Sequence, residues 1–133
     1  MKYMLMMHAP RVGWEKAGMG TWPPDDVKAL IRFMKRFSQE LSEAGELVAA
    51  EGLAGPEHAR VVRAKANGAH EVTDGPFAEA KEFLAGYWIV DCDSTERAYA
   101  IAARASAAPG KGGAPLNMPI EVREVMSAPP VDM

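Results

Sequence analysis

The chain has 133 residues, which is the ordinary length of one globular domain. Its hydrophobic fraction of 48% and charged fraction of 25% are those of a folded protein and exclude a disordered, collagen-like or coiled-coil chain. The formal net charge of −3 argues against a nucleic-acid-binding protein, because such proteins usually carry a basic surface.

The first half of the chain predicts two short strands separated by one helix. The strands are short apolar segments bounded by turn residues: Lys2–His8 and Glu46–Leu53. The helix begins at Pro23-Pro24, because proline suits a first turn that needs no amide hydrogen, and Gly45 predicts a left-handed stop. Between these, apolar residues recur at helical spacing: Val27, Leu30, Ile31, Met34, Phe37, Leu41 and Ala44.

The second half predicts a hairpin, a central strand, a second helix and a closing strand. Asn67-Gly68 predicts a type I′ hairpin turn, which needs positive φ at both positions. Ala78–Phe83 is expected to form one or two helical turns, and Asp93 to begin the second helix. The other strands are Arg60–Lys65, Ala69–Thr73, Ala85–Cys92 and Ile120–Met126, and the buried helix positions are Ala98, Ile101, Ala102 and Ala105.

This order of elements is typical of an α+β fold, a ferredoxin-like βαββαβ sandwich with an inserted β-hairpin. Both helices then lie on one face of the sheet, and we expect a second copy of the chain to bury the other face in a dimeric α/β-barrel type of assembly. Seven apolar strand residues are too many for two helices to cover: Tyr3, Leu5, Met7, Trp88, Val90, Ile120 and Val122. We predict one domain, residues 1–126, and a C-terminal tail, residues 127–133.

The segment Val72–Val90, VTDGPFAEAKEFLAGYWIV, resembles the signature of the DGPF branch of the YCII-related (YciI-like) family. The resemblance extends to MKYMLMMH at the start, AAEGL at Ala49–Leu53 and the closing IEVREVM. It implies a dimeric ferredoxin-like fold with a cleft, in a family of mostly uncharacterised proteins, several of them encoded near extracytoplasmic-function sigma factors.

Better-understood members of that family, including a dehydrochlorinase, look as if they use a His–Asp pair with the histidine on the first helix. By the resemblance, that histidine would fall near Met34, but this chain has no histidine between His8 and His58. The family's pair is therefore not carried over to this sequence.

His8 ends the predicted first strand and is the candidate acid–base residue, because histidine is the side chain best suited to proton transfer near neutral pH. Its orienting carboxylate would be Asp74 or Glu51. The structural alternative is a strand-end histidine bonded to a backbone carbonyl. Glu51 would likewise be structural if Arg60 or Arg63 paired with it.

A second set of candidates borders the cleft expected beside the Asp74–Phe77 turn. Lys81 would anchor a substrate anion, Glu82 would add charge to the rim, and Trp22 would cover an apolar pocket. The turn also has a structural explanation, in which its aspartate accepts amide hydrogen bonds and its phenylalanine is anchored in the core.

Several other sites and locations are not expected. The three histidines lack metal-ligand spacing, so we expect no metal and no cofactor. Cys92 is the single cysteine, which excludes an intramolecular disulfide and favours a small core residue. No apolar run is long enough for a secretory signal or a membrane span, so we expect a cytoplasmic protein without membrane or nucleic-acid partners.

Two functions stay open at this point. The first is a small-molecule-binding or regulatory homodimer with a cleft near the Asp74–Phe77 turn, which the missing helix histidine favours. The alternative is a cofactor-independent enzyme that acts on a small aromatic or carboxylated substrate by His/carboxylate acid–base chemistry, with His8 as its proton carrier.

Overall fold

The computed structural model describes residues 1–11, 19–77 and 80–126. Four of its strands form an antiparallel sheet in the order β2-β5-β1-β6, and the other two form a separate hairpin. The elements are β1 (Lys2–Pro10), α1 (Pro24–Glu43), β2 (Leu47–Gly52), β3 (Arg60–Ala64), β4 (His70–Asp74), β5 (Glu82–Asp91), α2 (Thr95–Ser106) and β6 (Ile120–Glu124). The predicted α+β class is confirmed, and the strand order is consistent with a ferredoxin-like fold. The predicted tail, residues 127–133, lies outside the described residues.

The core lies on the covered face of the sheet, which is the face that packs against α1 and α2. Tyr3 pairs with Val90 and Leu5 with Trp88, so all four side chains alternate toward the helices. They meet the buried helix residues Phe37, Leu41, Ala98, Ile101, Ala102 and Ala105. The buried positions predicted for the second helix are thus confirmed.

One premise of the sequence argument is wrong. The seven apolar strand residues do not exceed what two helices cover, because the strand register turns all of them to the covered face. Val122 lies opposite Leu5, and Ile120 lies opposite Met7, so β6 continues the same layer. Met7, Ile120 and Val122 are partly buried against the core cluster. Any burial of the other face has to be argued from different residues.

The helix ends follow from local chemistry. Gly45 has φ +73°, and so it takes the left-handed position predicted for it after α1. For α2 the cap is Ser94 rather than the predicted Asp93, because the Ser94 side chain accepts a hydrogen bond of 3.1 Å from the Arg97 amide. None of the described helices combines the length and apolar character needed to cross a membrane.

The hairpin forms where predicted, but its turn differs. Gly68 has φ +82°, whereas Asn67 is not among the residues with positive φ, so the turn is not type I′. The Gly68 amide donates to the Lys65 carbonyl at 3.2 Å, and the Lys65 amide donates to the Ala69 carbonyl at 2.9 Å. This is a three-residue loop in which a turn is followed by a left-handed glycine.

The predicted helix Ala78–Phe83 is wrong within the described residues 80–83. Glu82 is the first residue of β5 and pairs with Pro10, and the Arg11 amide donates to the Lys81 carbonyl at 2.9 Å. Pairing with the long first strand therefore holds this segment extended. Residues 78 and 79 lie outside the described residues.

Candidate functional site

The open face of the sheet is the face turned away from both helices. Strand alternation gives it an apolar centre and charged edges. Its residues are Met4, Met6, His8, Ala49, Glu51, Leu84, Tyr87, Ile89, Glu121 and Arg123. The apolar members of this set are half-buried. Charged residues lie on the two edge strands, Glu51 on β2 and Arg123 with Glu121 on β6, and at one end of the central strands, where Lys2 pairs with Asp91.

His8 has a carboxylate partner on the open face, but not one of the two predicted. Its Nε2 lies 3.0 Å from Oε1 of Glu121, and the two side chains are 30% and 49% exposed. Glu121 pairs with Met6 across the β1–β6 register, which brings it beside His8 on the same face. Sequence reasoning missed Glu121 because strand alternation predicts only the face of the sheet on which a residue lies. It does not predict which residue of the adjacent strand lies beside it.

The predicted residues around the Asp74–Phe77 turn are dispersed. Asp74 ends β4 with its side chain 97% exposed, and its carboxylate lies 3.5 Å from Nε of Arg60. Phe77 is 68% exposed, which corrects its predicted role as a core anchor. Lys81 and Glu82 are exposed at the start of β5.

Trp22 belongs to a separate surface near the start of α1. It is half-buried and lines a shallow apolar depression of about 410 Å³ with Gly20, Pro24, Val27 and Lys28. Asp74, Lys81 and Glu82 line neither this depression nor the cavity described next. The structure of the single chain therefore does not bring these predicted site residues together.

A second cavity, the α1 cavity, lies between α1 and the β2 edge of the sheet. Its volume is about 260 Å³. The lining residues are Met7, Met34, Ser38, Ala50, Glu51, Gly52, Gly86, Tyr87 and Trp88. Of the predicted site residues, Glu51 alone lies here.

Two glycines leave the space that becomes the α1 cavity. Gly52 and Gly86 lie opposite each other in the β2–β5 register, on the covered face. A Cβ at Gly52 would meet nothing within 4 Å, whereas a Cβ at Gly86 would lie 3.0 Å from the Glu51 carbonyl oxygen. Gly86 therefore permits the close approach of β2 to β5, and Gly52 leaves room that a larger side chain would occupy.

The α1 cavity combines an adaptable apolar wall with one side-chain hydroxyl. Met7 and Met34 supply flexible thioethers, which fill irregular spaces and adjust to a ligand. Ser38 places a hydroxyl on α1. Glu51 borders the cavity through its backbone, because its side chain points with that of Tyr87 to the open face, where it is exposed and forms no ion pair in the described part of the chain. Ser38 was missed from the sequence, although a serine four residues after Met34 interrupts the apolar stripe of the helix.

The groups with perturbed pKa values lie elsewhere. Arg97 donates two hydrogen bonds, of 2.9 and 2.7 Å, to the carboxylate of Glu46, and these lower the pKa of Glu46. Burial raises the pKa of the Cys92 thiol. The ion pair joins the start of β2 to α2, and the thiol is 4% exposed in the core, so both are explained as structural groups. Among the described residues no three His, Cys, Asp or Glu side chains converge to hold a metal ion.

Comparison with known proteins gives two findings. The model of a family described as the YCII-related domain matches residues 1–114. The chain is also similar to an uncharacterized protein of Rhizobium meliloti (strain 1021), with 30% identity over 93 residues. That alignment covers 70% of this chain and 74% of the relative.

Proposed function

The chain belongs to the YCII-related family, and from this membership we propose that it is a homodimer that binds a small molecule in the α1 cavity. The observation that carries the proposal is the cavity itself, in which facing glycines leave about 260 Å³ beside the Ser38 hydroxyl and an apolar wall. Sites for drug-sized ligands measure about 300–1,000 Å³. The ligand is therefore small, about one ring with a short substituent. We further propose the DGPF branch of the family, on the strength of the Val72–Val90 motif.

The open face supports the dimer. Its centre is a contiguous set of half-buried apolar residues such as Met6 and Ile89, and large apolar patches on a protein surface mark interfaces. Its edges are charged: Glu51 lies on β2, and Glu121 and Arg123 lie on β6. A two-fold axis parallel to the strands would place the β2 edge of one copy over the β6 edge of the other.

Filling the α1 cavity tests the binding function. We would screen small aromatic molecules by thermal shift against the unchanged protein and Gly52→Val, whose side chain enters open space. A molecule present at 100 times its Kd adds about 2.7 kcal/mol to the free energy of unfolding. We expect Gly52→Val to fold and to lose this shift. Gly20→Val is the matched control, because Gly20 is equally unobstructed but lines the depression beside Trp22. A shift that survives in Gly52→Val would contradict the proposal.

The dimer is tested by sedimentation. We expect the unchanged protein to sediment with the mass of two chains and Ile89→Lys with the mass of one, because a charge would be buried at the centre of the interface. Tyr99→Lys is the control, since Tyr99 is 57% exposed on α2 and far from the open face in the fold. A single-chain mass for the unchanged protein across micromolar concentrations would refute the dimer.

The His8–Glu121 contact favours acid–base catalysis as a second function. A carboxylate 3.0 Å from the imidazole holds the ring orientation, as general acid–base chemistry requires. The substrate would be a small aromatic or carboxylated molecule, and the reaction would need no cofactor. Molecules identified by thermal shift would be followed for turnover by mass spectrometry. We expect His8→Gln to lower turnover by at least about 100-fold without changing the thermal shift; equal turnover in both proteins would exclude this function.

A further inference from the structure

The two walls of the α1 cavity each carry a hydrogen-bonding group that the chain itself does not use. Resting on the binding function proposed above, we propose that the cavity takes uncharged molecules with a carbonyl or hydroxyl oxygen, which accepts hydrogen bonds from Trp88 on the sheet and Ser38 on α1. The sheet wall is formed by side chains of the covered face, Met7, Ala50 and Trp88. These make an apolar surface for the body of the ligand.

Trp88 supplies the donor of the sheet wall. The residue is 6% exposed, and its ring is held edge-on against that of Phe37, with centroids 5.9 Å apart. A buried tryptophan N–H usually has a hydrogen-bond partner, but the indole N–H of Trp88 forms no hydrogen bond within the described residues. No fully enclosed side-chain nitrogen or oxygen among those residues lacks a partner, so this N–H keeps access to solvent. Because Trp88 lines the α1 cavity, this space gives the N–H its access.

Ser38 supplies the second group, from the helix wall. It follows Met34 by four residues and Phe37 by one, so it lies on the stripe of α1 that faces the sheet. The residue is half-buried, and its hydroxyl forms no hydrogen bond in the described part of the chain. A hydroxyl both donates and accepts, so it suits a carbonyl and a hydroxyl of the ligand equally.

The described lining offers no counter-charge to an ion. Glu51 is its one charged residue, and the side chain of Glu51 lies on the open face. An ammonium group has donors and no acceptor, so it would meet a donor in Trp88. A carboxylate has about four acceptor sites, more than the two walls satisfy, and a buried charge without a partner is unfavourable. Lys81, predicted from the sequence to anchor a substrate anion, does not line the cavity.

Four probes share one ring and a flat substituent of similar size, and they differ in charge and in hydrogen bonding: acetophenone, α-methylstyrene, benzoate and benzamidinium. Their affinities would be measured by calorimetry. We expect acetophenone to bind at least about tenfold more tightly than either ion, because the cavity does not replace the water that an ion loses. In α-methylstyrene a methylene group replaces the carbonyl oxygen, so this probe measures the apolar contribution alone.

The variant Ser38→Ala removes the hydroxyl of the helix wall. It should weaken acetophenone binding about fivefold, the ratio that one neutral hydrogen bond supplies, and leave α-methylstyrene binding unchanged. Ser42→Ala is the matched control, because Ser42 is exposed on the same helix and does not line the cavity. An equal change for both probes would mean that Ser38 only shapes the cavity, and it would overturn the hydrogen bond.

The indole proton of Trp88 reports the other hydrogen bond directly. The chain has three tryptophans, so Trp14→Phe and Trp22→Phe assign the other two indole signals in the NMR spectrum and leave Trp88 unchanged. Acetophenone should move the Trp88 signal further downfield than α-methylstyrene does, because only the carbonyl oxygen accepts a hydrogen bond. Equal shifts with the two probes would overturn the role of Trp88.

The outcomes separate this proposal from the binding function on which it rests. An ion that binds as tightly as acetophenone would overturn the ligand class and leave the cavity function standing. If the four probes do not bind, the molecules found in the wider screen decide. Uncharged molecules that Ser38→Ala weakens would support the class, and charged molecules that Gly52→Val abolishes would overturn it. If no molecule is sensitive to Gly52→Val, both proposals fail.

Discussion

The two faces of the four-stranded sheet are built from the same strands and yet end in different environments. Leu5 is fully buried on the covered face, whereas its neighbours Met4 and Met6 are half-buried on the open face. The covered face is packed except at the β2 edge, where Gly52 and Gly86 leave the α1 cavity. On the open face, the charged residues Glu51, Glu121 and Arg123 are exposed to solvent. The comparison teaches that strand alternation decides which side chains stabilise the single chain, whereas the proposed binding surfaces depend on the gap left by Gly52 and Gly86 and on the half-buried apolar residues of the open face.

The largest expected effect is a difference between the two faces in how much a truncated side chain lowers the free energy of unfolding. Leu5→Ala should lower the free energy of unfolding by about 3–5 kcal/mol, because it removes a side chain from the core and leaves a cavity. Met6→Ala, one position along the same strand, should lower the free energy of unfolding by about 1 kcal/mol at concentrations where the protein is monomeric. Urea denaturation of both variants provides the comparison. Equal losses would mean that the open face is as fully packed as the covered face.

The second effect concerns the ion pair that ties β2 to α2 beside the covered face. Glu46→Gln should cost about 1–2 kcal/mol at pH 7, less than a fully buried pair because the Arg97 side chain is 40% exposed. Arg97 holds the pKa of Glu46 below its ordinary value of 4.5, so the stabilisation is complete above pH 4.5 and is lost as the pH falls through the lowered pKa. Denaturation curves from pH 7 to pH 3 should show the two proteins converging. A constant difference would contradict this assignment.

A smaller effect belongs to the open face. A double-mutant cycle with His8→Gln and Glu121→Gln should give a coupling energy of about 0.2–1 kcal/mol in the single chain, as for other partly exposed pairs. The proposed dimer would bury the pair, so the coupling should grow with protein concentration. The His58–Glu57 contact is the control, because its side chains are 71% and 63% exposed and lie outside the sheet. A coupling that does not depend on concentration would argue that the open face stays uncovered.

The sequence predicted the covered face better than the candidate sites, for a physical reason. The α1 stripe, the stop at Gly45 and the buried positions of α2 follow from periodicity and local conformation, which act within one segment. The contact of His8 with Glu121, and of Gly52 with Gly86, depends on the register between strands that are distant in sequence. That register is decided by the packing of the whole sheet. The turn at Asn67 shows that a local prediction can also fail. The Asn67-Gly68 pair is compatible with a three-residue loop as well as with the predicted two-residue turn, and the sequence alone does not decide between them.

The smallest expected effect falls on the Asp74–Phe77 turn, which belongs to neither face although it is the most recognisable part of the sequence. Asp74→Asn should change the free energy of unfolding by less than about 0.5 kcal/mol, because its side chain is 97% exposed and its pair with Arg60 is weak. It should also leave the thermal shift by small molecules unchanged, in contrast to Gly52→Val. If Asp74→Asn abolished that shift while the protein stayed folded, binding would have to involve the turn, through an assembly that the single chain does not form.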